Sequence, residues 1–147
     1  MRGAAEVAAF VLDSSVALAW FLPGEQSSQT EALLDQVTEA GALAPGLWPL
    51  EVANIILVAE RKNRITLAQR VRALTALAKL PIRIDTETAG RAWSSTFDQA
   101  LAHGLTVYDA SYLDLSLRSG LPLATLDLAL GRAATACGVT VLGMRDL

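Results

Sequence analysis

Four acidic residues occupy positions where a carboxylate can serve chemistry as well as solubility. Asp13 follows a short apolar run in the stretch FVLDSSVALAW, and Asp127 closes the stretch LPLATLD. Glu51 lies just after Pro49, in the first turn of a predicted helix, and Asp109 lies near the start of another in TVYDASYLDLSLRSG. Carboxylates grouped in this way can act as general acids or bases, or they can bind a metal ion.

Each of these acids also has a purely structural interpretation. Asp13, Ser14 and Ser15 are all good helix N-caps, so the carboxylate of Asp13 could simply satisfy the first amides of a helix that begins near residue 16. Glu51 could complete a capping box or favour the positive end of its helix. The pattern at these positions leaves both interpretations open.

The elements that must position these acids alternate between strands and helices. Strands are predicted at residues 10–12, 42–44, 81–85, 121–127 and 139–143, from apolar runs bounded by turn residues. A first helix is predicted to begin near residue 16, and further helices are predicted at about 27–41, 49–63, 67–80, 86–103, 106–120 and 129–137. This alternation predicts one α/β domain over residues 1–147, with a parallel sheet covered by helices on both faces.

In such sheets, ligands gather beyond the carboxyl ends of the strands, where the strand order reverses. Asp13 and Asp127 therefore meet if their two strands are neighbours. Carboxylates held close together raise one another's pKa unless a positive charge intervenes. No lysine follows Lys79, and few arginines lie in that part of the chain. A divalent cation is the natural partner, and all-oxygen ligands favour Mg²⁺ or Mn²⁺ over zinc.

Composition narrows the class of protein. The 147 residues are 52% apolar, with a mean hydropathy of +0.38, which suggests that another chain covers part of the apolar surface. Asp13, Glu25 and Glu51 interrupt the best candidates for a membrane span, and the opening MRGAAEVAAF is a poor signal peptide. The single Cys137 excludes an intrachain disulfide and a thiolate zinc site, which fits a cytoplasmic setting.

Charge is distributed unevenly along the chain. Residues 61–91 hold eight basic and two acidic side chains, a balance of +6, so a formal net charge of −3 leaves −9 for the remainder. Arg61, Lys62 and Arg64 end the helix that begins beside Glu51. They can bind a polyanion. Alternatively, they form an ordinary solvated face or contact a protein partner.

The stretches FVLDSSVALAWFLPGE, LWPLEVANIIL, LTVYDASYLDLSLRSGLPLATLD and VTVLG resemble, in this order, the PIN-domain ribonucleases, and most closely the VapC toxins of toxin–antitoxin pairs. The resemblance implies a PIN-like three-layer α/β/α fold with about five parallel strands. It implies that the catalytic and metal-binding acids are Asp13, Glu51, Asp109 and Asp127. Ser15, Asn54 and Thr125 are implied as polar neighbours of this cluster.

The resemblance also implies an activity and partners. We expect an endoribonuclease that uses Mg²⁺ or Mn²⁺, acts on RNA, forms a homodimer and is inhibited by a cognate antitoxin. Arg61, Lys62 and Arg64 are then candidate RNA-binding residues. Asp98 and Asp114 match no family site, and we expect both to be solvated. The alternative is a PIN-like module that binds RNA or protein without cleaving.

Other kinds of site are less well supported. A phospho-acceptor receiver domain requires a lysine that the last third of the chain lacks, and a haloacid-dehalogenase-like phosphatase requires an Asp where Ser15 stands. His103, the only histidine, precedes Gly104 and is better explained by helix capping. Trp20, Phe21 and Leu22 are expected in the core, or, if exposed, in a groove for the antitoxin.

Overall fold

A computed structural model describes residues 8–144, and the sheet at its centre has five parallel strands. The strands are β1 (Val11–Leu12), β2 (Ala42–Ala44), β3 (Ile82–Ile84), β4 (Leu123–Ala124) and β5 (Val141–Leu142). The helices are α1 (Ser14–Ala19), α2 (Ser28–Ala40), α3 (Trp48–Arg61), α4 (Leu67–Lys79), α5 (Thr88–Arg91), α6 (Ser95–His103), α7 (Val107–Ser119) and α8 (Leu128–Ala136). The predicted α/β class is confirmed.

Strand order in the sheet is β3-β2-β1-β4-β5, so the chain leaves the centre in both directions. Val11 in β1 pairs with Leu43 on one side and with Leu123 on the other. The strands β1, β2 and β4 are buried, as continuous apolar runs in a parallel sheet require. The order reverses between β1 and β4, and this reversal marks the usual place for a ligand.

The helices form a layer on each face of the sheet. Because parallel crossovers are right-handed, the connections β1–β2 and β2–β3 place α1 to α4 on one face. The connections β3–β4 and β4–β5 run in the opposite direction and place α5 to α8 on the other. This arrangement is the predicted three-layer α/β/α sandwich.

Several predicted helix ends are present. Ser27 and Thr30 form a capping box at the start of α2, and Thr66 forms one with Gln69 at the start of α4. Gly41 ends α2 with a φ of 80°, and a Cβ there would lie 2.8 Å from the carbonyl oxygen of Pro81. Only glycine allows this close approach between α2 and the chain entering β3.

The single helix predicted over residues 86–103 is wrong. The chain forms the short α5, turns at residues 92–94 and starts again as α6. Ser94 has a φ of −123° and a ψ of −103°, outside the helical region, and the side chain of Trp93 in the turn is 96% exposed. Gly90, Ser94 and Ser95 are weak helix formers, and together they allow the break.

The structure also bears on the expected burial of residues 20–22 and on the search for a membrane span. Trp20 and Leu22 are buried, and the Trp20 indole N–H donates to the carbonyl of Thr30 at 2.7 Å, which places this segment largely in the core. Within residues 8–144, none of the helices has the length and apolar character needed to cross a membrane. The expectation about a signal peptide falls mainly on residues 1–7, outside the described part of the chain.

Candidate active site

Asp13 lies at the carboxyl end of β1, at the reversal of strand order. Its side chain is only 5% exposed and makes no capping hydrogen bond to α1, although the residue stands at the N-cap position. Instead, its Oδ2 accepts hydrogen bonds from the hydroxyls of Ser15, at 2.6 Å, and Thr125, at 2.8 Å. The side chain of Asp13 is therefore positioned by Ser15 and Thr125 and does not cap α1.

The same two hydroxyls fix the loop that carries Asp127. Ser15 Oγ accepts from the amide of Leu126 at 2.9 Å, and Thr125 Oγ1 accepts from the amide of Asp127 at 3.0 Å. Asp127 in turn caps α8, because its Oδ1 accepts from the amide of Leu130 at 2.8 Å. Pairing of β1 with β4 thus brings the two aspartates to one edge of the sheet.

Glu51 and Asp109 approach this edge from helix N-termini. Glu51 is half-buried in the first turn of α3, and its Oε1 accepts a hydrogen bond from the hydroxyl of Tyr112. Asp109 is half-buried in the first turn of α7, where the hydroxyl of Thr106 caps the helix by accepting from the Asp109 amide at 3.1 Å. The two helices lie on opposite faces of the sheet, so the acids converge from both layers.

Burial and mutual repulsion raise the pKa of three of these acids. For Asp13, burial raises the pKa most and the charge of Asp127 adds to it, against the hydrogen bonds from Ser15 and Thr125. Burial also raises the pKa of Glu51, together with the charges of Asp13 and Asp109. The pKa of Asp109 is raised by burial, then by Asp127 and Asp13. The four carboxylates therefore form one electrostatically coupled cluster.

The acidic cluster has the chemistry of a hard-cation site, although it is open. None of the ion pairs found among residues 8–144 includes any of its four carboxylates. Nor do the described residues include three His, Cys, Asp or Glu side chains already arranged to hold a metal ion. Mg²⁺ suits such a site, because it commonly keeps several of its waters and does not need a closed set of protein ligands. The all-oxygen donor set fits Mg²⁺ or Mn²⁺.

Asn54 is the one predicted polar neighbour that the structure does not join to the cluster. It lies one turn after Glu51 on α3, with an exposed side chain. Among the hydrogen bonds described for this part of the chain, none links its amide to the four acids. Ser15 and Thr125, in contrast, both bind Asp13 directly.

The candidate RNA-binding residues lie at the far end of α3. Arg61, Lys62 and Arg64 are all exposed. Arg64 lies 3.9 Å from the carboxylate of Glu25, an ion pair open to solvent. Since Glu51 begins the same helix, the cluster and Arg61 are about 15 Å apart at 1.5 Å per residue.

Asp114 is not solvated, so the expectation for this residue is wrong. It is 3% exposed and lies between two arginines, with Arg91 Nε at 2.7 Å and Arg118 Nε at 3.4 Å. Arg118 also binds Asp85 at 2.7 Å. An acid four residues before an arginine on one helix was the available signal. The partner Arg91 lies on another helix and could not be inferred from spacing. Asp98 is exposed, as predicted.

His103 lies in the last turn of α6, as predicted, and takes no part in the acidic cluster. Its Nε2 lies 3.2 Å from the sulfur of Cys137. The imidazole of His103 therefore contacts the C-terminal end of α8.

Tyr112 is the residue of this site that the sequence interpretation missed. It is fully buried, three residues after Asp109 on α7. Burial, and then the hydrogen bond to Glu51, raises the pKa of this phenol far above its ordinary range. The available signal was the spacing from Asp109, since residues i and i+3 share one helix face.

Comparison with known proteins connects this geometry to a family. The family model of the PIN domain matches residues 10–136, a span that includes all four acids. The chain belongs to the PIN-domain family. It is 32% identical, over 117 residues, to Ribonuclease VapC3 of Pyrobaculum aerophilum, a match that covers 80% of this chain and 88% of that protein.

Solved structures share the PIN fold. PAE2754 from Pyrobaculum aerophilum aligns with a TM-score of 0.64 at 24% identity, covering 89% of this chain and 88% of that one. FitAcB from Neisseria gonorrhoeae aligns with a TM-score of 0.63 at 16% identity, covering 90% and 96%. These likenesses concern the fold. The roles of the individual acids stay predictions.

Proposed function

We propose that this PIN-domain protein is a metal-dependent endoribonuclease of the VapC toxin type. The observation that carries the proposal is the coupled cluster of Asp13, Glu51, Asp109 and Asp127, which has no described cationic partner and lies at the reversal of strand order. The similarity of the chain to Ribonuclease VapC3 supports RNA as the substrate class.

The four carboxylates would hold Mg²⁺ or Mn²⁺, which supplies Lewis acidity toward a phosphodiester and lowers the pKa of a water molecule. Without a cation, the cluster repels the phosphate backbone of RNA, so substrate binding at this edge depends on the ion. Ser15 and Thr125 orient the carboxylate of Asp13, and Thr125 also fixes the backbone at Asp127. Half-buried Glu51 and Asp109 have raised pKa values when no cation is present, so a bound cation would relieve the repulsion between them and the other acids.

A mechanism that relies on histidine has little support. The only histidine of the chain is His103, which contacts Cys137 rather than the acidic cluster. Attack by water at phosphorus predicts products with 5′-phosphate and 3′-hydroxyl ends. Activation of the RNA 2′-hydroxyl by a histidine pair would give different ends, so the products distinguish the two mechanisms.

A cognate antitoxin and a second copy of the chain are the proposed partners. Large apolar side chains are exposed along the segment from the α5–α6 turn through α6, at Trp93, Phe97 and Leu101. Exposed apolar surface of this kind is typical of protein interfaces. The similarity to Ribonuclease VapC3, together with the resemblance to VapC toxins noted in the sequence, supports an antitoxin and a second copy as the chains that cover such surfaces.

The purified protein, incubated with total RNA, tests the proposal. We expect cleavage with Mg²⁺ or Mn²⁺, none with excess EDTA, and recovery when the cation is restored. Asp13→Asn should reduce the rate by at least 100-fold, while Asp98→Asn, which changes an exposed acid, should cleave normally. Ligation of adaptors to the fragments reports the end groups. Cleavage that EDTA and Asp13→Asn both leave unchanged would overturn the metal-dependent mechanism, and an absence of cleavage under all conditions would favour a binding module.

A further inference from the structure

Tyr112 stands apart from the residues used so far, because it contacts the acidic cluster from inside the core. Its ring is fully buried, yet its hydroxyl reaches Glu51 on a helix of the opposite layer. Glu51 and Tyr112 are 61 residues apart in the chain. A buried tyrosine hydroxyl normally finds a polar partner. Here the partner is a carboxylate of the candidate active site.

The four acids are not held equally. Asp13 accepts two side-chain hydroxyls, and Asp127 is fixed by capping α8. Glu51 has a longer side chain with one more rotatable bond, and its described side-chain hydrogen bond is the one from Tyr112. Without that bond, its carboxylate is free to turn away from the other acids, which repel it. The phenol is therefore placed to set the direction of the Glu51 carboxylate.

Helix α7 connects this contact to a second acid. Asp109 and Tyr112 are three residues apart, on the same face of the helix. Asp109 extends into the cluster directly, whereas Tyr112 acts on it through Glu51. One rigid helix thereby sets the spacing between two carboxylates that come from opposite layers of the sandwich.

We propose that Tyr112 is a positioning residue, which holds Glu51 in the orientation required to bind the divalent cation. The inference rests on the proposed function, since it assumes that the cluster binds a metal. It assigns to a core tyrosine the role that Ser15 and Thr125 have toward Asp13. Residues that hydrogen bond to metal ligands commonly change metal affinity by about 10- to 100-fold when substituted.

Mn²⁺ binding to the purified protein, without RNA, tests this role. Tyr112→Phe keeps the buried ring and removes only the hydroxyl, and we expect it to weaken Mn²⁺ binding by about 10-fold or more, measured by calorimetry. Tyr108→Phe is the matched control. Tyr108 is the chain's other tyrosine, lies one turn earlier on α7 and is 67% exposed. This control should bind Mn²⁺ like the parent protein.

A double-mutant cycle separates positioning from a general loss of stability. If Tyr112 acts through Glu51, Tyr112→Phe should lower Mn²⁺ affinity in the parent but not further in a Glu51→Gln background. A structural effect alone would lower the melting temperature in both backgrounds and leave Mn²⁺ affinity unchanged in both. Equal affinities of Tyr112→Phe and the parent would overturn the assignment.

The outcome also distinguishes this inference from the function on which it depends. A parent protein with no measurable Mn²⁺ affinity would overturn both proposals, whereas a parent that binds Mn²⁺ together with an unaffected Tyr112→Phe would overturn only the second. If Tyr112→Phe yields too little folded protein, Glu51→Asp tests the same contact from the Glu51 side, because it moves the carboxylate about one bond length away from the hydroxyl of Tyr112. Unchanged Mn²⁺ affinity in Glu51→Asp would overturn the positioning role.

Discussion

At the scale of single residues, the hydrogen bonds of Asp13 distinguish its carboxylate from that of an ordinary helix cap. A cap needs its oxygen directed at the amides of the following helix, but Asp13 directs Oδ2 at the hydroxyls of Ser15 and Thr125. Those hydrogen bonds favour the charged form, and burial opposes it more strongly. The folded protein without metal therefore carries an unfavourable charge at this position.

This imbalance predicts that Asp13→Asn stabilises the metal-free protein at neutral pH. The folded-state pKa of Asp13 is raised above its unfolded value, so the stability contributed by the protonated form is lost as pH rises through the folded pKa. The amide oxygen of Asn still accepts both hydroxyls. We expect a gain on the order of 1 kcal/mol at pH 7 that shrinks toward about pH 4, measured by urea unfolding across that range.

Asp98→Asn is the control, since Asp98 is an exposed acid on α6. Added Mn²⁺ should reverse the order of stability, because an ion at about 100 times its dissociation constant stabilises the parent by about 2.7 kcal/mol. Asp13→Asn should gain much less. A difference between parent and Asp13→Asn that stays constant with pH would contradict the assigned pKa shift.

The residues alone predicted that Asp13 and Asp127 meet only if their strands are neighbours, and the resemblance to PIN-domain ribonucleases supplied the set of four acids. The pairing of β1 with β4 meets that condition, and Ser15, which only the resemblance implied, bonds both to Asp13 and to the loop that carries Asp127. Tyr112 and the burial of Asp114 were missed because their shortest side-chain contacts, to Glu51 and Arg91, are with other elements. A tyrosine or an aspartate on a helix carries no mark in the sequence that shows which distant residue it will contact.

At the scale of elements, α7 carries one acid of the cluster and the tyrosine that contacts another, and it anchors both through ion pairs further along the helix. Its first turn carries Asp109, its second carries Tyr112, and its third buries Asp114 against Arg91 of α5. Arg118 at its end binds Asp85, which follows β3. The network continues through Thr88, whose hydroxyl donates to Asp85 and accepts from the amide of Gly46, three residues before Pro49. These bonds tie α7 to the loop that leads into the helix of Glu51.

Asp114→Asn should therefore destabilise the fold by about 2 kcal/mol. Burial alone would raise the pKa of Asp114, but the hydrogen bonds it accepts, those from Arg91 and Arg118 among them, and the charge of Arg91 together hold the pKa below its ordinary value. Breaking a fully buried ion pair costs about 3 to 5 kcal/mol, and the expected loss is smaller because the Arg91 side chain is 34% exposed. Urea unfolding measures the loss. Glu60→Gln, which breaks the more exposed pair with Arg70, should change stability far less.

The sign of the pH effect distinguishes this network from the acidic cluster. The pKa of Asp114 is lowered on folding, so its contribution is present above the unfolded pKa and is lost as pH falls through the folded value. Asp114→Asn should therefore cost most near neutral pH and least in acid. A loss of stability equal to that of Glu60→Gln would show that the pair contributes little.

Prediction of the elements themselves was reliable where capping signals were strong. Thr66 caps the start of α4 and Gly120 the end of α7, at the predicted bounds of residues 67 and 120, because a cap is a local interaction. The break between α5 and α6 was missed because the apolar pattern continues through it. At the end of α5, just before the break, Arg91 donates a hydrogen bond to Asp114 of α7. Local helix propensity gives no information about such a contact between elements.

At the scale of the whole molecule, the structure separates two basic residues that are paired with acids from an exposed basic group at the end of α3. Of the eight basic residues between 61 and 91, Arg70 is paired with Glu60 and Arg91 with Asp114. The exposed group at the end of α3 consists of Arg61, Lys62 and Arg64, of which only Arg64 has a described acidic neighbour, at 3.9 Å. A polyanion that crosses from this group to the acidic cluster spans about 15 Å along α3.

Replacing Arg61, Lys62 and Arg64 together by alanine should weaken RNA binding and make it less dependent on salt. Each phosphate neutralised on a single strand contributes about 0.7 to the slope of log affinity against log salt, so the slope should flatten by up to about 2. Mn²⁺ affinity should stay close to that of the parent, because the substituted residues lie far from the four acids. The measurement belongs on the Asp13→Asn background, where the RNA probe survives.

We expect the parent to have the mass of two chains by light scattering, and the triple variant to keep that mass. A changed mass with an unchanged salt slope would show instead that these side chains contact a protein, either the second copy or the antitoxin.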